Sequence, residues 1–268
     1  MVNKFIITLV LVFNFTIVSN SAVQFEMGHK EFNPASTAKT NILVEGKTIK
    51  MEFQEDGKKV DSTMIFKGET EVMIFVDHQE KKYFSMNKND IQKFSDHMSQ
   101  AMAQLEEALK DMSPEEREQM KNLMKDKMPG MGNSDYIEPV IKKSGSDTVK
   151  GYSCTNYDIY KENKLYRKSC VTKWGNIKGG DQIAAAMINM TDFMDEMTKS
   201  FSNNSQVKFE KNVFHQLKEM KGFPVKTIDY GDSDNIISES ILESSSIVDA
   251  PKSEFEPPTG YKKEVISF

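Results

Sequence analysis

Two cysteines, four histidines and one tryptophan in 268 residues leave little material for a metal or catalytic centre. The histidines, His29, His78, His97 and His215, are far apart, and none opens an H-E-x-x-H helix. Asp96-His97 falls on the polar side of a helical stretch, and Asp77-His78 closes a strand at a turn, where aspartate is favoured anyway. The chain has no G-x-S-x-G elbow, no phosphate-binding glycine loop and no C-x-x-C pair. Asp232-Ser-Asp234-Asn lacks the glycine and the distal glutamate of a calcium loop, so it reads as a plain turn. Nor is there a basic excess: the formal net charge is −5, which argues against a nucleic-acid partner. No catalytic residue, no metal site and no cofactor is therefore expected, and the chain is read as a non-enzyme.

Long apolar runs are also missing. The longest, Phe5 to Val18, is interrupted by Thr8, Asn14 and Thr16 and is short for a membrane span of about 20 residues. It follows a short basic start, Met1-Val-Asn-Lys4, and precedes small residues at Ser19, Ser21 and Ala22. That is the pattern of a secretory signal peptide, residues 1–21, cleaved after Ser21 or Ala22. No cysteine stands at the cleavage site, so a lipid anchor is not expected. Residues 22–268 are expected in an oxidising, periplasm-like compartment, with no transmembrane segment after cleavage.

Short strands dominate the chain beyond that leader. Val23, Phe25 and Met27 alternate with polar residues, and Pro34 to Thr37 is expected to end that strand. Ile42-Leu-Val44, a turn at Glu45-Gly46, and Ile49, Met51, Phe53 read as a hairpin, with Asp56-Gly57 marking the next turn. Met64-Ile-Phe66 and Val72 to Val76 make another pair, followed by Tyr83-Phe84. Strands resume at Tyr136 to Ile141 and again at Phe223 to Tyr230 and Ile236 to Val248. Such a meander predicts an antiparallel sheet that curls toward a barrel. At its centre stand Thr148 to Tyr160 and Leu165 to Trp174, two arms rich in aromatic and β-branched residues around a polar turn. With a three-residue loop, Lys161 to Asn163, Tyr160 pairs with Lys164 and Cys154 falls opposite Cys170. Opposed residues of an antiparallel pair lie within disulfide range. A structural disulfide is the expectation; buried free thiols or a redox couple are the alternatives.

The period changes twice. Ile91, Phe94, Met98, Met102, Leu105, Leu109 and Met112 recur every three or four residues, which predicts an amphipathic helix. Ser113-Pro-Glu-Glu116 is a capping box that opens a second one, carrying Met120, Leu123, Met124 and Met128 and ending at Pro129-Gly130. Together they form a helical insert, residues 89–131. A second helical segment, residues 181–221, begins with Asp181 as its N-cap and carries Ile183, Met187, Met190, Met194, Met197 and Phe201. After a polar break at Ser202 to Ser205 come Phe214, Leu217 and Met220, stopped by Gly222. With 18 methionines in all, these stripes are built from the flexible, polarisable side chain that fills adaptable apolar surfaces.

Lys150-Gly-Tyr-Ser-Cys154, the Cys-Val-Thr of residues 170–172, Ser113-Pro-Glu-Glu-Arg117 before a Met-rich helix, and the closing Phe255 to Tyr261 resemble an uncharacterised family of bacterial envelope proteins. That family is similar to the lipoprotein-localisation-factor (LolA/LppX-like) superfamily. One departure is that Cys170 stands before Val171 where an aromatic is expected, with Trp174 four residues on. The resemblance implies an α+β fold: a curled antiparallel sheet, or half-open barrel, whose one face is covered by the inserted Met-rich amphipathic helices. It implies a single domain over residues 22–268 that binds acyl chains or other apolar ligands, and it brings no catalytic residue.

On that reading Met98, Met102, Leu105, Leu109, Met187, Met190, Met194, Met197 and Phe201 line an apolar ligand site, and the partner is a lipid or other apolar small molecule. The same stripes would also serve as plain packed core. Two further readings stand beside it. Met128-Pro-Gly-Met131, Met187-Ile-Asn-Met190 and Met194-Asp-Glu-Met197 have the spacing that brings two thioethers to one helical face for copper(I) or silver. An exposed apolar stripe over Phe94 to Met128 would instead dock an envelope protein.

Overall fold

The computed structural model describes residues 21–55, 57–110, 112–113, 115–119, 138–204, 219–231 and 233–265; at Met98, Met102, Leu105, Glu106, Thr198 and 200–204 it describes the backbone alone. Residues 1–20 of the expected signal peptide lie outside these residues, and Ser21 is the first residue of a strand. Also outside them are the second insert helix beyond residues 115–119, which are helical, with its Met120 to Met131, the stretch with Phe214 and Leu217, and Asp56, Tyr136 and Asp232 of three expected turns and strands.

Within the described residues, alternating sequence becomes strand. The chain opens with six strands in succession: β1 (Ser21–Phe32), β2 (Ala35–Glu45), β3 (Thr48–Glu55), β4 (Ser62–Lys67), β5 (Val72–Asp77) and β6 (Lys82–Asn87). Helix α1 (Lys88–Lys110) follows, then β7 (Val140–Val149), β8 (Tyr152–Lys161) and β9 (Lys164–Thr172). Helix α2 (Gly180–Asn204) leads to β10 (Phe223–Tyr230), β11 (Ile236–Asp249) and the two-residue β12 (Lys262–Lys263). All twelve belong to one sheet in the order β12-β6-β5-β4-β3-β2-β1-β11-β10-β9-β8-β7. Every pairing is antiparallel except β12 on β6. Among the described residues the sheet is not closed, with β7 and β12 at its edges.

Four details differ from the sequence expectation. The break at Pro34 to Thr37 is shorter, because Asn33-Pro34 alone makes the turn and β2 starts at Ala35. The helix cap is Gly179, whose carbonyl accepts the Ile183 amide at 3.1 Å, so Asp181 sits in the first turn, where its charge suits the helix dipole. The closing tail adds a strand, β12, that the sequence did not show. The fourth is the central hairpin: Lys161 pairs with Lys164, leaving the two-residue turn Glu162-Asn163, and a register shift follows at Ile159/Tyr160. Cys170 therefore faces Asn156 rather than Cys154. Cys154 and Cys170 are nonetheless bonded, with Cα atoms 5.3 Å apart, inside the main core. The Ser113 capping box is present: its amide donates to Glu116 Oε2 at 3.0 Å and its hydroxyl accepts the Glu116 amide at 3.3 Å. The Ser113 hydroxyl and then the Ser113 amide, acting on the Glu116 carboxyl, hold it below the usual carboxylate range.

Two cores lie on opposite faces of the sheet. The larger unites Val23, Phe25, Val44, Ile49, Phe66 and Leu242 of the strands with Ile183, Ala186, Met187, Met190 and Phe193 of α2 and Ile91 of α1. The smaller holds Ala22, Ile65, Ile74 and Val76 under Ala250 and Phe255 of the C-terminal tail. That tail is tied down by Lys50–Glu254 at 2.9 Å, Lys67–Glu256 at 2.6 Å and Lys82–Glu264 at 2.9 Å. His78 joins it as well, bridging Thr63 Oγ1 at 2.8 Å and the Tyr261 hydroxyl at 3.0 Å.

Candidate functional site: a half-open apolar strip

Side chains on one face of a sheet recur every second residue, so cross-strand neighbours form rows about 7 Å apart along the strands. On the α2 side the first row is Val23, Val44, Ile49, Phe66, Met73 and Met86, on β1 to β6 in turn. The second is Phe25, Ile42, Met51, Met64, Phe75 and Phe84. The third begins Met27, Thr40, Phe53, Ser62.

Helix α2 runs along the first row. At its start Gln182 Nε2 donates to the Val44 carbonyl at 3.2 Å. Midway the Phe193 ring sits 5.3 Å from that of Phe66. Near its end Glu196 pairs with Lys88, the first residue of α1, which also holds Glu71 at 2.8 Å. Burial follows this path. Val23, Val44, Ile49 and Phe66 are fully buried under it, and so are Phe25 and Ile42 beside it. Past α2 the apolar surface continues but is no longer sealed. Met64, Phe75 and Phe84 are half-buried, Phe75 and Phe84 stack at 4.9 Å, Met27 is half-buried and Phe53 is 40% exposed. The result is an apolar strip that crosses the sheet diagonally from Phe84 on β6 to Met27 on β1, interrupted on β2 by the buried Thr40. Five strand spacings of about 4.8 Å make it about 24 Å long.

The sequence-expected lining residues separate into groups. Met187 and Met190 are 7% and 1% exposed and belong to the packed core. Met194 and Met197, one and two turns on, are half-buried and pack against the same core from its open side. Leu109 is half-buried at the end of α1. Met98, Met102, Leu105 and Phe201 lie on α1 and α2, but their side chains are outside the described residues.

At the far end of the strip the face turns polar, in a group not anticipated from the sequence. Beyond Met27 on the same face stands His29, whose Nδ1 lies 2.9 Å from Ser240 Oγ on β11 and whose Nε2 lies 3.0 Å from Thr40 Oγ1 on β2. Register extends the band through Thr227 to Ser169, whose hydroxyls are 3.3 Å apart. One row further, Arg167 Nε donates to Asp229 Oδ1 at 2.6 Å, and the Ser238 hydroxyl donates to Asp229 Oδ2 at 2.9 Å. Burial lowers the His29 pKa below its ordinary value of 6.5, against a smaller opposing pull from Glu31, so the ring is neutral at pH 7. A signal was there to read: His29 continues the Val23, Phe25, Met27 alternation.

Among the described residues no three His, Cys, Asp or Glu side chains gather as a metal-binding group, and no helix is long and apolar enough to cross a membrane.

No curated protein matches the chain. Among solved structures, an uncharacterised conserved protein from Thermus thermophilus is 4% identical, with a TM-score of 0.45 over 92% of this chain and 91% of that one. The Pseudomonas aeruginosa MucA/MucB complex is 5% identical, with a TM-score of 0.37 over 92% of this chain and 59% of the other. A putative outer membrane lipoprotein-sorting protein domain from Vibrio parahaemolyticus is 8% identical, with a TM-score of 0.29 over 88% and 89%. Scores below 0.5 leave the description of the fold to the sheet order itself. The sequence match is firmer: a family model described as a domain of unknown function (DUF4412) spans residues 85–261, well over half of the chain, and the chain belongs to that family.

Proposed function

We propose that this chain is an exported, non-enzymatic envelope protein that binds a lipid-like apolar ligand between its sheet and its Met-rich helices. The observation that carries the reading is the unsealed strip. Met64, Phe75 and Phe84, with Phe53 and, across Thr40, Met27, form an apolar path beside a row that is buried from Val23 to Met73. An apolar path of about 24 Å that a packed domain leaves half-open is costly in water, by about 25 cal/mol per Å² of apolar area, and a bound chain removes that cost. Met194 and Met197 stand at its border with α2, and Met98, Met102, Leu105 and Leu109 on α1 and Phe201 on α2 complete the wall in this proposal. Unbranched thioether side chains fit ligands of varied length. The signal peptide at residues 1–21 and delivery to the periplasm belong to the same proposal.

Of the Met pairs of the copper(I) or silver reading, Met187 and Met190 are buried in the apolar core, which disfavours that pair as exposed thioether ligands. A protein partner, rather than a lipid, would use the same apolar strip.

Titration of the protein with N-phenyl-1-naphthylamine, an uncharged fluorescent probe, tests the proposal. Saturable enhancement is expected, with at least a tenfold loss of affinity in Phe84→Glu at unchanged circular dichroism. No enhancement in the wild type would overturn it.

A further inference from the structure

The geometry points to a neutral, hydrogen-bonding head group as the second half of that ligand, seated at His29; this rests on the apolar-strip reading and names its ligand class. The strip runs from Phe84 to Met27, broken only by Thr40, and ends on the hydroxyl–imidazole band that Thr40 forms with His29 and Ser240. A neutral imidazole uses one nitrogen as donor and the other as acceptor. The hydroxyl that accepts from the ring keeps its own O–H free to donate, and the one that donates to it keeps lone pairs free to accept. The band therefore offers both a donor and acceptors next to the end of an apolar track, which matches the ester and hydroxyls of an acylglycerol.

The charges on that face select against an anionic head. Glu31 is two residues beyond His29 on β1, and Glu55, itself paired with Lys58 at 3.6 Å, faces Ala38, the cross-strand neighbour of His29. Arg167, further along the band, is already held by Asp229. The lysines closest in sequence and register, Lys30, Lys39 and Lys226, project from the opposite face: Lys30 lies over the Phe32 ring at 4.8 Å, and Lys39 and Lys226 pair with Glu26 at 2.9 Å and Glu239 at 2.8 Å. Among these described neighbours, a phosphate or carboxylate at His29 would meet Glu31 and the Lys58-paired Glu55, and no uncommitted cation. We infer a long-chain lipid with an uncharged polar head, of the monoacylglycerol type, its tail toward Phe84 and its head at His29.

Displacement of N-phenyl-1-naphthylamine by monopalmitoylglycerol, palmitate and palmitoyl-lysophosphatidylglycerol at pH 8 gives the test, because the tail is constant and only the head changes. The expected order is monopalmitoylglycerol at least tenfold tighter than either anion. Ser240→Ala and His29→Leu are expected to remove that preference while leaving probe binding within twofold. Equal or tighter binding of the anionic lipids, or a preference that survives both substitutions, would overturn the head-group assignment with the strip intact. Failure of the probe itself to bind the wild type would overturn the strip and the head group together.

Discussion

Truncation of Met190 to alanine separates core from site within one helical stripe. Met190 is 1% exposed and packs in the cluster that joins α2 to the sheet, whereas Met194, one turn on, is half-buried at the open side. Removing a fully buried methionine leaves a cavity as well as losing transfer energy, for a cost of about 3 kcal/mol. In a chain of this size each kcal/mol moves Tm by about 2–4 °C, so Met190→Ala is expected to lower Tm by about 6–12 °C. Met194→Ala gives up half a side chain of burial with no enclosed cavity, about 1 kcal/mol. Differential scanning calorimetry of the disulfide-intact protein measures both. Probe titration should reverse the order, with Met194→Ala weakening binding more than Met190→Ala. Equal Tm losses for the two variants, or a loss under about 1 kcal/mol for Met190→Ala, would refute the division of the stripe.

Opening the Cys154–Cys170 bond, which spans 16 residues, should cost about 3 kcal/mol in the chain-entropy account, seen as a lower urea midpoint with reductant or in the double serine variant. An unchanged midpoint would contradict it. Gly180→Ala would place a Cβ 1.8 Å from the Trp174 carbonyl oxygen and should destabilise by more than about 2 kcal/mol, whereas Gly175→Ala meets nothing within 4 Å and should fall within about 0.5 kcal/mol of wild type. His29 is held below its ordinary pKa of 6.5 by burial, so the unfolded chain binds its proton first. Stability is therefore full above pH 6.5 and falls as pH drops from there through the folded-state pKa. Urea midpoints of wild type minus His29→Gln should decline over that window, and a flat difference would contradict a neutral, buried ring.

Much of the fold was legible because it rests on local pattern. The Ile42-Leu-Val44 and Ile49, Met51, Phe53 hairpin, the strand pair from Met64 to Val76 and the stripe from Ile183 to Met197 carry their periods in the residues themselves. What was missed depends on backbone torsions and long-range register. Glu162 and Asn163 both take left-handed φ, 49° and 65°, which shortens the turn by one residue and moves Cys170 off Cys154. β12 is two lysines with no alternation to betray it, held in place by tail–sheet ion pairs. The site itself was half legible. The Met stripe was found, but not where it stops being core, because that boundary is set by the path of α2 across rows contributed by six strands. His29, Thr40 and Ser240 are unremarkable in sequence, and only register places them side by side.

Native mass spectrometry of the protein exported to a bacterial periplasm and purified without detergent tests the central claim most directly. The account predicts a reproducible adduct, lost on denaturation and identified as an uncharged single-chain lipid, and predicts that Phe84→Glu no longer carries it. A clean apo mass in the wild type, with no lipid at any protein concentration, would contradict it.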